Sequence, residues 1–264
     1  MIGLRAELMA AVERSPHMAA NHDRTGWISL FAAGARIEDP VGSRPHIGLA
    51  GIGRFYDTFI APRRIVFRPG CDIVIDTTVV RDVTLEVGMG PTVVMEIPAV
   101  LRYDMTNDVA GEWLIERLRA YWELPAMMAR FLRNGPAAAP QALQLTRALM
   151  RNQGLRGSAG FASGFRGVRD RGKRTVRAFL EAVSSGDELG AWRCLAPGAA
   201  ITHGERNPLK FSAFSEEIRS AVWTKLIAAG SSVTISLRGR VNGVLIAEVA
   251  EGVDAITRLS YFVE

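Results

Sequence analysis

The sequence predicts an α+β fold in two tandem copies, each with helices packed on a curved antiparallel sheet. Three observations carry this. Within residues 1–133 helical patterns come first and strand-like runs follow, an order that segregates helices from a sheet. No regular strand–helix repeat runs along the chain, which argues against doubly wound and α/β-barrel layouts. The same order also recurs after residue 170. Trp27-Ile28-Ser29-Leu30 followed by Ala35–Asp39 is echoed by Trp192-Arg193-Cys194-Leu195 followed by Ala200–His203, and Ile115–Glu123 is echoed by Ile256–Glu264.

Taken in order, Ser15-Pro16 predicts a helix start, with Ser as N-cap and Pro at the first helical position. Asp23–Phe31 predicts a helix with Trp27, Leu30 and Phe31 facing inward. A short strand, Ala35–Asp39, ends at Pro40. Ile47–Phe59 places Ile52, Phe55, Tyr56 and Phe59 on one helical stripe. Strands follow at Arg64–Phe67, Asp72–Ile75, Val79–Val87, Thr92–Tyr103 and Trp113–Trp122, with turn residues Asn107-Asp108 and Ala110-Gly111 between the last two. Residues 134–170 are rich in Gly, Ala and Arg and predict a linker: a short helix around Leu143, Leu145 and Leu149, then Gly154, Gly157, Gly160, Gly164 and Gly167, which no regular element tolerates cheaply. A helix at 175–195 and closing strands make the second domain, 171–264.

Composition bounds the function. Hydrophobic residues are 48% and charged residues 22% of 264, ordinary globular usage. No apolar run approaches the roughly 18 residues of a membrane span, and Glu7 and Glu13 interrupt the N-terminal apolar pattern, so no signal core is expected. The expected location is cytoplasmic. Cys71 and Cys194 are too few for a disulfide framework or metal cluster. The net charge of +5 is local, because nine basic residues and one acid lie between Arg147 and Arg177. With Phe161 and Phe165 as its only aromatics, that stretch is expected to pack between domains or over a pocket mouth; nucleic acid is not the expected partner.

The chief chemical candidate is Asp39. Strand alternation puts Ala35, Ile37 and Asp39 on one face, and facing strands can offer Ile97, Ala99 and Leu101 from one side and Leu118, Ala120 and Trp122 from the other. A carboxylate at the end of such a wall is pushed towards the neutral acid, and so towards the pKa range of a general base. The same Asp-Pro pair also suits a turn in which the side chain bonds the backbone.

The segment IEDPVGSRPHIGLAGIGRFY, residues 37–56, resembles the base-bearing segment of bacterial ketosteroid isomerases, members of the NTF2-like (SnoaL-like) superfamily. The shared residues are Glu38-Asp39-Pro40, Gly42, His46, Gly48, Ile52 and Phe55-Tyr56, and a second match is Leu101-Arg102-Tyr103-Asp104 with Ala120-Tyr121-Trp122. The resemblance implies two tandem NTF2-like, cystatin-like cones, the second degenerate. It also implies a deep apolar pocket for a steroid-like ligand, in which Asp39 shuttles a proton α to a carbonyl without a cofactor. Trp27, Phe31, Phe55 and Phe59 join the sheet residues as the expected ligand wall. The family's oxyanion Asp falls on Ala99 and its oxyanion Tyr near Ser15, so His17 or Tyr56 is the expected donor. Tyr56 matches a tyrosine of the family's hydrogen-bond network behind the pocket. His46 matches a position in the loop after the base, and His203 stands at the second copy's equivalent of Asp39.

Other chemistry is not expected. His17 and His22 are five residues apart, which does not align two metal ligands on a helix. No G-x-S-x-G elbow, dinucleotide fingerprint or phosphate loop occurs. Steroid isomerisation leads. A hydratase, dehydratase or cyclase on the same fold, and a non-catalytic binder of a lipid-like ligand, are the alternatives, with the second domain acting as an intrachain partner or a homodimer forming in its place.

Overall fold

The computed structural model describes residues 2–89, 93–133, 135, 143, 145–152, 160, 163–165, 167–239 and 242–263. The chain forms two compact units, 1–72 with 77–165, and 73–76 with 166–264.

The first unit opens with α1, Ile2–Ala20, which runs through Pro16 instead of starting there. Its inner face explains why. Leu8 and Val12 are fully buried and Ser15 and Ala19 nearly so, a stripe that continues across the proline. Burying Leu8 and Val12 contributes roughly 3–6 kcal/mol, at least the ~3 kcal/mol a helix-interior proline costs. Ser15 does not cap; its hydroxyl accepts the Trp27 indole N–H at 3.1 Å. Helix α2 is short, Arg24–Ser29, because Asp23 caps it by accepting from the Gly26 amide and the chain turns extended at Phe31. Strand β1 is Phe31–Glu38, and β2, His46–Ile47, folds back on it. Helix α3, Gly48–Phe55, widens into a π turn over Tyr56–Ile60.

The remaining strands are β3 (Arg64–Ile75), β4 (Thr78–Gly88), β5 (Val94–Asn107) and β6 (Trp113–Tyr121). The two short runs read at 64–67 and 72–75 are one strand. The sheet order is β2-β1-β6-β5-β4-β3. The meander from β3 to β6 is antiparallel as expected, but β1 joins β6 in parallel, making the sheet mixed. Helix α4, Leu124–Leu132, was not foreseen; it lays Met127 and Phe131 over Val87, Met89 and Met95.

Much of the stretch read as a linker, Gly154, Gly157 and Phe161 included, lies outside the described residues. What is described belongs to the first unit up to Phe165: residues 145–152 are helical, and Gly160 accepts from the Arg44 amide and from the Ser163 hydroxyl.

The second unit repeats the plan. Helices α5 (Arg169–Ser185) and α6 (Glu188–Arg193) precede β7 (Leu195–His203), β8 (Asn207–Pro208), α7 (Phe211–Ile218), β9 (Val222–Ala229), β10 (Ser232–Arg238), β11 (Gly243–Val249) and β12 (Ile256–Val263). Its sheet order, β8-β7-β12-β11-β10-β9, matches the first element for element. The helix read at 175–195 breaks at Gly186, whose left-handed φ of 77° ends α5, before Asp187 caps α6.

These caps correct the alignment of the repeat. Asp187 accepts from Gly190 as Asp23 does from Gly26, so Trp27 is matched by buried Ala191, and Trp192, half exposed, is one residue out. The strand match holds: Phe31 pairs with Ile115 as Leu195 pairs with Ile256.

Candidate functional site

Asp39 follows the last residue of β1, beyond the Glu38–Arg119 pair, where the chain leaves the sheet through a cis Asp39–Pro40 peptide. Its carboxylate opens into a cavity of the first unit with about 140 Å³ open to the centres of water-sized molecules. Trp122 reaches the same point from the end of β6, and its indole N–H donates to Asp39 Oδ1 at 2.5 Å.

The walls are apolar. From α2, α3 and the π turn come Trp27, Phe55 and Phe59, with ring centroids 6.1 Å apart for Trp27–Phe55 and 5.2 Å for Phe55–Phe59. Strand β5 supplies Ile97, Leu101 and Tyr103, and β6 with the residues just beyond it supplies Leu118, Ala120 and Trp122. Met127 of α4 and Leu145 of the 145–152 helical stretch complete one side. Among the described residues, the polar lining side chains besides the indoles are Ser15, Asp39, Arg63 and Tyr103.

Burial in this wall pushes the Asp39 carboxyl up to about 6, with the Trp122 hydrogen bond pulling the other way. Asp39 is partly buried and lines the cavity. Tyr103 is 1% exposed, and burial pushes its phenol up to about 12, against the opposing influence of Arg81 and a hydrogen bond with Ser15. It is therefore a neutral O–H at physiological pH. Behind it, Arg81 is almost fully buried, held by Asp72 at 2.8 Å and Glu13 at 2.5 Å.

Four expected site residues stand outside this lining. His17 is exposed and bonded to Asn21 at 3.2 Å, because it lies two residues, or about 200°, around α1 from inward-facing Ser15. Phe31 is buried against Trp27, centroids 4.7 Å apart, and does not reach the cavity. Ala99 shares the β5 face but its methyl is wholly buried one step beyond the Val100–Tyr121 pair. Tyr56 packs on Trp27 with its hydroxyl buried and, among the described residues, without a hydrogen-bond partner. His46 lies against Phe55 at 5.1 Å, and burial lowers it to about 4, so it is neutral.

The wall also includes residues outside the expected set, among them the polar Tyr103 and Arg63. Tyr103 continues the alternation of Ile97, Ala99 and Leu101, so extending that pattern by one step would have found it. Nothing in the sequence separates Arg63 from Arg64 beside it.

The second unit lacks this constellation. By strand register and cap position, His203 stands for Asp39, Tyr261 for Ala120, Val263 for Trp122, Ala247 for Tyr103 and Phe179 for Ser15. Phe179, Phe214 and Tyr261 are all at most 3% exposed and pack ring against ring, Phe179–Phe214 at 6.1 Å and Phe214–Tyr261 at 5.7 Å. Two small residues that line the first cavity are thus replaced by aromatic rings in the second core.

The family model for the nuclear transport factor 2 (NTF2) domain matches residues 7–109. Among solved structures, a Δ5-3-ketosteroid isomerase from Mycobacterium sp. is 30% identical, with 46% of this chain and 96% of that chain covered and a TM-score of 0.41. A Mycobacterium tuberculosis protein in complex with estradiol-17β-hemisuccinate is 26% identical, with 45% and 95% covered and a TM-score of 0.41. A computationally designed 17-OHP binder is 25% identical over 45% and 95%, with a TM-score of 0.41. No curated protein matches the chain. The family model makes the first unit an NTF2-like domain, and the second unit repeats its element order.

Proposed function

We propose that the first domain is a ketosteroid-isomerase-like enzyme in which Asp39 moves a proton between two carbons of an apolar ketone. One observation carries this reading: a carboxylate raised to about 6 by burial in an apolar cavity, with no cation among the causes of its shift. A base with that pKa is largely ionised at neutral pH and still close enough to it to receive and return a proton. Asp39 removes a proton α to the carbonyl, the electron pair passes to the carbonyl oxygen, and the same proton is returned at the far carbon of the dienolate. Mass is unchanged and no cofactor enters.

The enolate oxygen needs a donor, and Tyr103 is our candidate. Ser15 accepts from Trp27 and has its own hydrogen to give. If that hydrogen goes to the Tyr103 oxygen, the phenol O–H is free for the ligand. Trp122 holds the Asp39 carboxylate by its indole N–H while the proton is away.

Steroids are the substrate class to test first, because the segment around Asp39 resembles ketosteroid isomerases. The assay is the ultraviolet appearance of a conjugated enone from a Δ5-3-ketosteroid. Turnover by the wild type, lost in Asp39→Asn, is expected. Full turnover by the variant would overturn the mechanism. A second reading, a hydratase, dehydratase or cyclase on the same scaffold, is favoured by Ala99, which offers the enolate no second donor; a product one water heavier or lighter would select it. We also propose that the second domain is non-catalytic, on the strength of its aromatic core and its five replaced positions.

A further inference from the structure

The cavity contains a cation that the proton-shuttle chemistry does not use. Arg63 follows the π turn, between Pro62 and β3, and lines the same cavity as Asp39. Its guanidinium is committed on one side. Nη1 donates to the carbonyls of Thr58 and Phe59, each at 2.8 Å, and Nε points at Met89 Sδ at 3.3 Å, while the group lies 5.9 Å from the Phe59 ring centroid. These partners are neutral. Nη2 makes no hydrogen bond within the described residues, and among them no carboxylate pairs with Arg63. Burial lowers the guanidinium to about 10, with no acidic neighbour among the causes. It remains charged at neutral pH.

A partly desolvated cation without a counter-ion is costly, and a neutral ligand closing the cavity would make it more so. An anionic oxygen on the ligand would meet it with a charge-assisted hydrogen bond. The position sets where that oxygen must be. Arg63 is held at the row of Met89, whose amide bonds Val93, whereas Asp39 stands near the row of Ala120 and Leu101, well along β5. The two charged groups therefore stand at different rows of the sheet.

We propose that Arg63 is an anchor for an anionic group, so that the ligand of this cavity is a long, apolar carbonyl compound with a carboxylate or similar oxyanion at the end remote from Asp39. The identity of the carbonyl end rests on the proposed proton shuttle; the recognition of charge does not.

The test is equilibrium binding, read by quenching of tryptophan fluorescence, since Trp27 and Trp122 line the cavity. The probes are a 3-ketosteroid with a side-chain carboxylate, its methyl ester, and the corresponding sulfate ester of the side-chain alcohol. They are titrated into the wild type, Arg63→Gln and Arg63→Lys at pH 7.5. The wild type is expected to bind the carboxylate at least about tenfold more tightly than the methyl ester. Arg63→Gln should abolish that preference while changing the methyl ester's Kd less than about threefold, and Arg63→Lys should keep part of it. The sulfate ester decides whether the preference belongs to oxyanions in general or to carboxylates. Equal wild-type affinity for acid and ester, or an undiminished preference in Arg63→Gln, would overturn the proposal. Arg63 also caps the end of the π turn, so if Arg63→Gln does not fold, the wild-type ratio and the Arg63→Lys ratio decide alone. Absence of turnover, or an active Asp39→Asn, would sink the proton shuttle and leave the acid-to-ester ratio unaffected.

Discussion

Replacing Asp39 by Asn should stabilise the protein, and only above a defined pH. The folded carboxyl sits at about 6 against an ordinary 3.8. Between those values the folded state binds more protons than the unfolded one, so stability falls as pH rises from 3.8 to 6 and stays reduced above it. A shift of about two pKa units corresponds to roughly 3 kcal/mol. Part of Asp39 faces a cavity that can admit water, so screening brings the expected cost to roughly 1–2 kcal/mol. Asn has nearly the same shape, keeps an oxygen to accept the Trp122 indole, and carries no charge. Asp39→Asn should therefore raise Tm by about 2–8 °C at pH 7.5, with the gain vanishing towards pH 4. Circular dichroism melts of both proteins from pH 4 to 8 measure this. No gain at pH 7.5, or an equal gain at every pH, would refute the reasoning that burial is what perturbs the carboxyl.

Three further outcomes follow from the same geometry. The wild-type kcat/KM should rise with pH to a plateau with an apparent pKa near 6; Trp122→Phe removes the hydrogen bond that lowers it, so the acid limb should move to higher pH, and an unmoved limb would contradict the assigned role. Tyr103→Phe should lower kcat about 10²–10³-fold, the loss typical of one oxyanion donor, with steroid affinity changed only a few fold; an unchanged kcat would remove Tyr103 from the mechanism. His203→Ala should leave turnover at the wild-type value, and a loss comparable to that of Asp39→Asn would show that the second copy is catalytic.

Much of the site was legible because it depends on short periods. Alternation along β1 and β6 put Asp39, Ala120 and Trp122 on the inner face, and the helical stripe put Phe55 and Phe59 beside them. Errors arose where a local rule met a stronger tertiary one. Pro16 reads as a helix start, yet the buried stripe from Leu8 to Ala19 carries α1 through it. Phe31 fits the helical pattern of Trp27, but the Asp23 cap begins a helix too short to include it. Helix α4 has one start signal in the sequence, Pro125 in its first turn. His17 has the right chemistry for a donor, but the helical period turns it to solvent. The paired tryptophans Trp27 and Trp192 suggested a register that the capping pairs Asp23–Gly26 and Asp187–Gly190 show to be one residue out. Tyr103 follows from the alternation along β5, whereas the resemblance points to Ala99 and Ser15. Arg63 was not legible at all, since its depth depends on how the π turn ends.

The central claim, that Asp39 abstracts a proton next to a bound carbonyl, is tested most directly by hydrogen exchange. In deuterated buffer, NMR would follow the loss of α-proton signals from a 3-ketosteroid in the presence of the wild type and of Asp39→Asn. The account predicts exchange well above the buffer rate with the wild type and a return to the buffer rate with the variant. Wild-type exchange at the buffer rate, with the steroid bound, or undiminished exchange in Asp39→Asn, would contradict it.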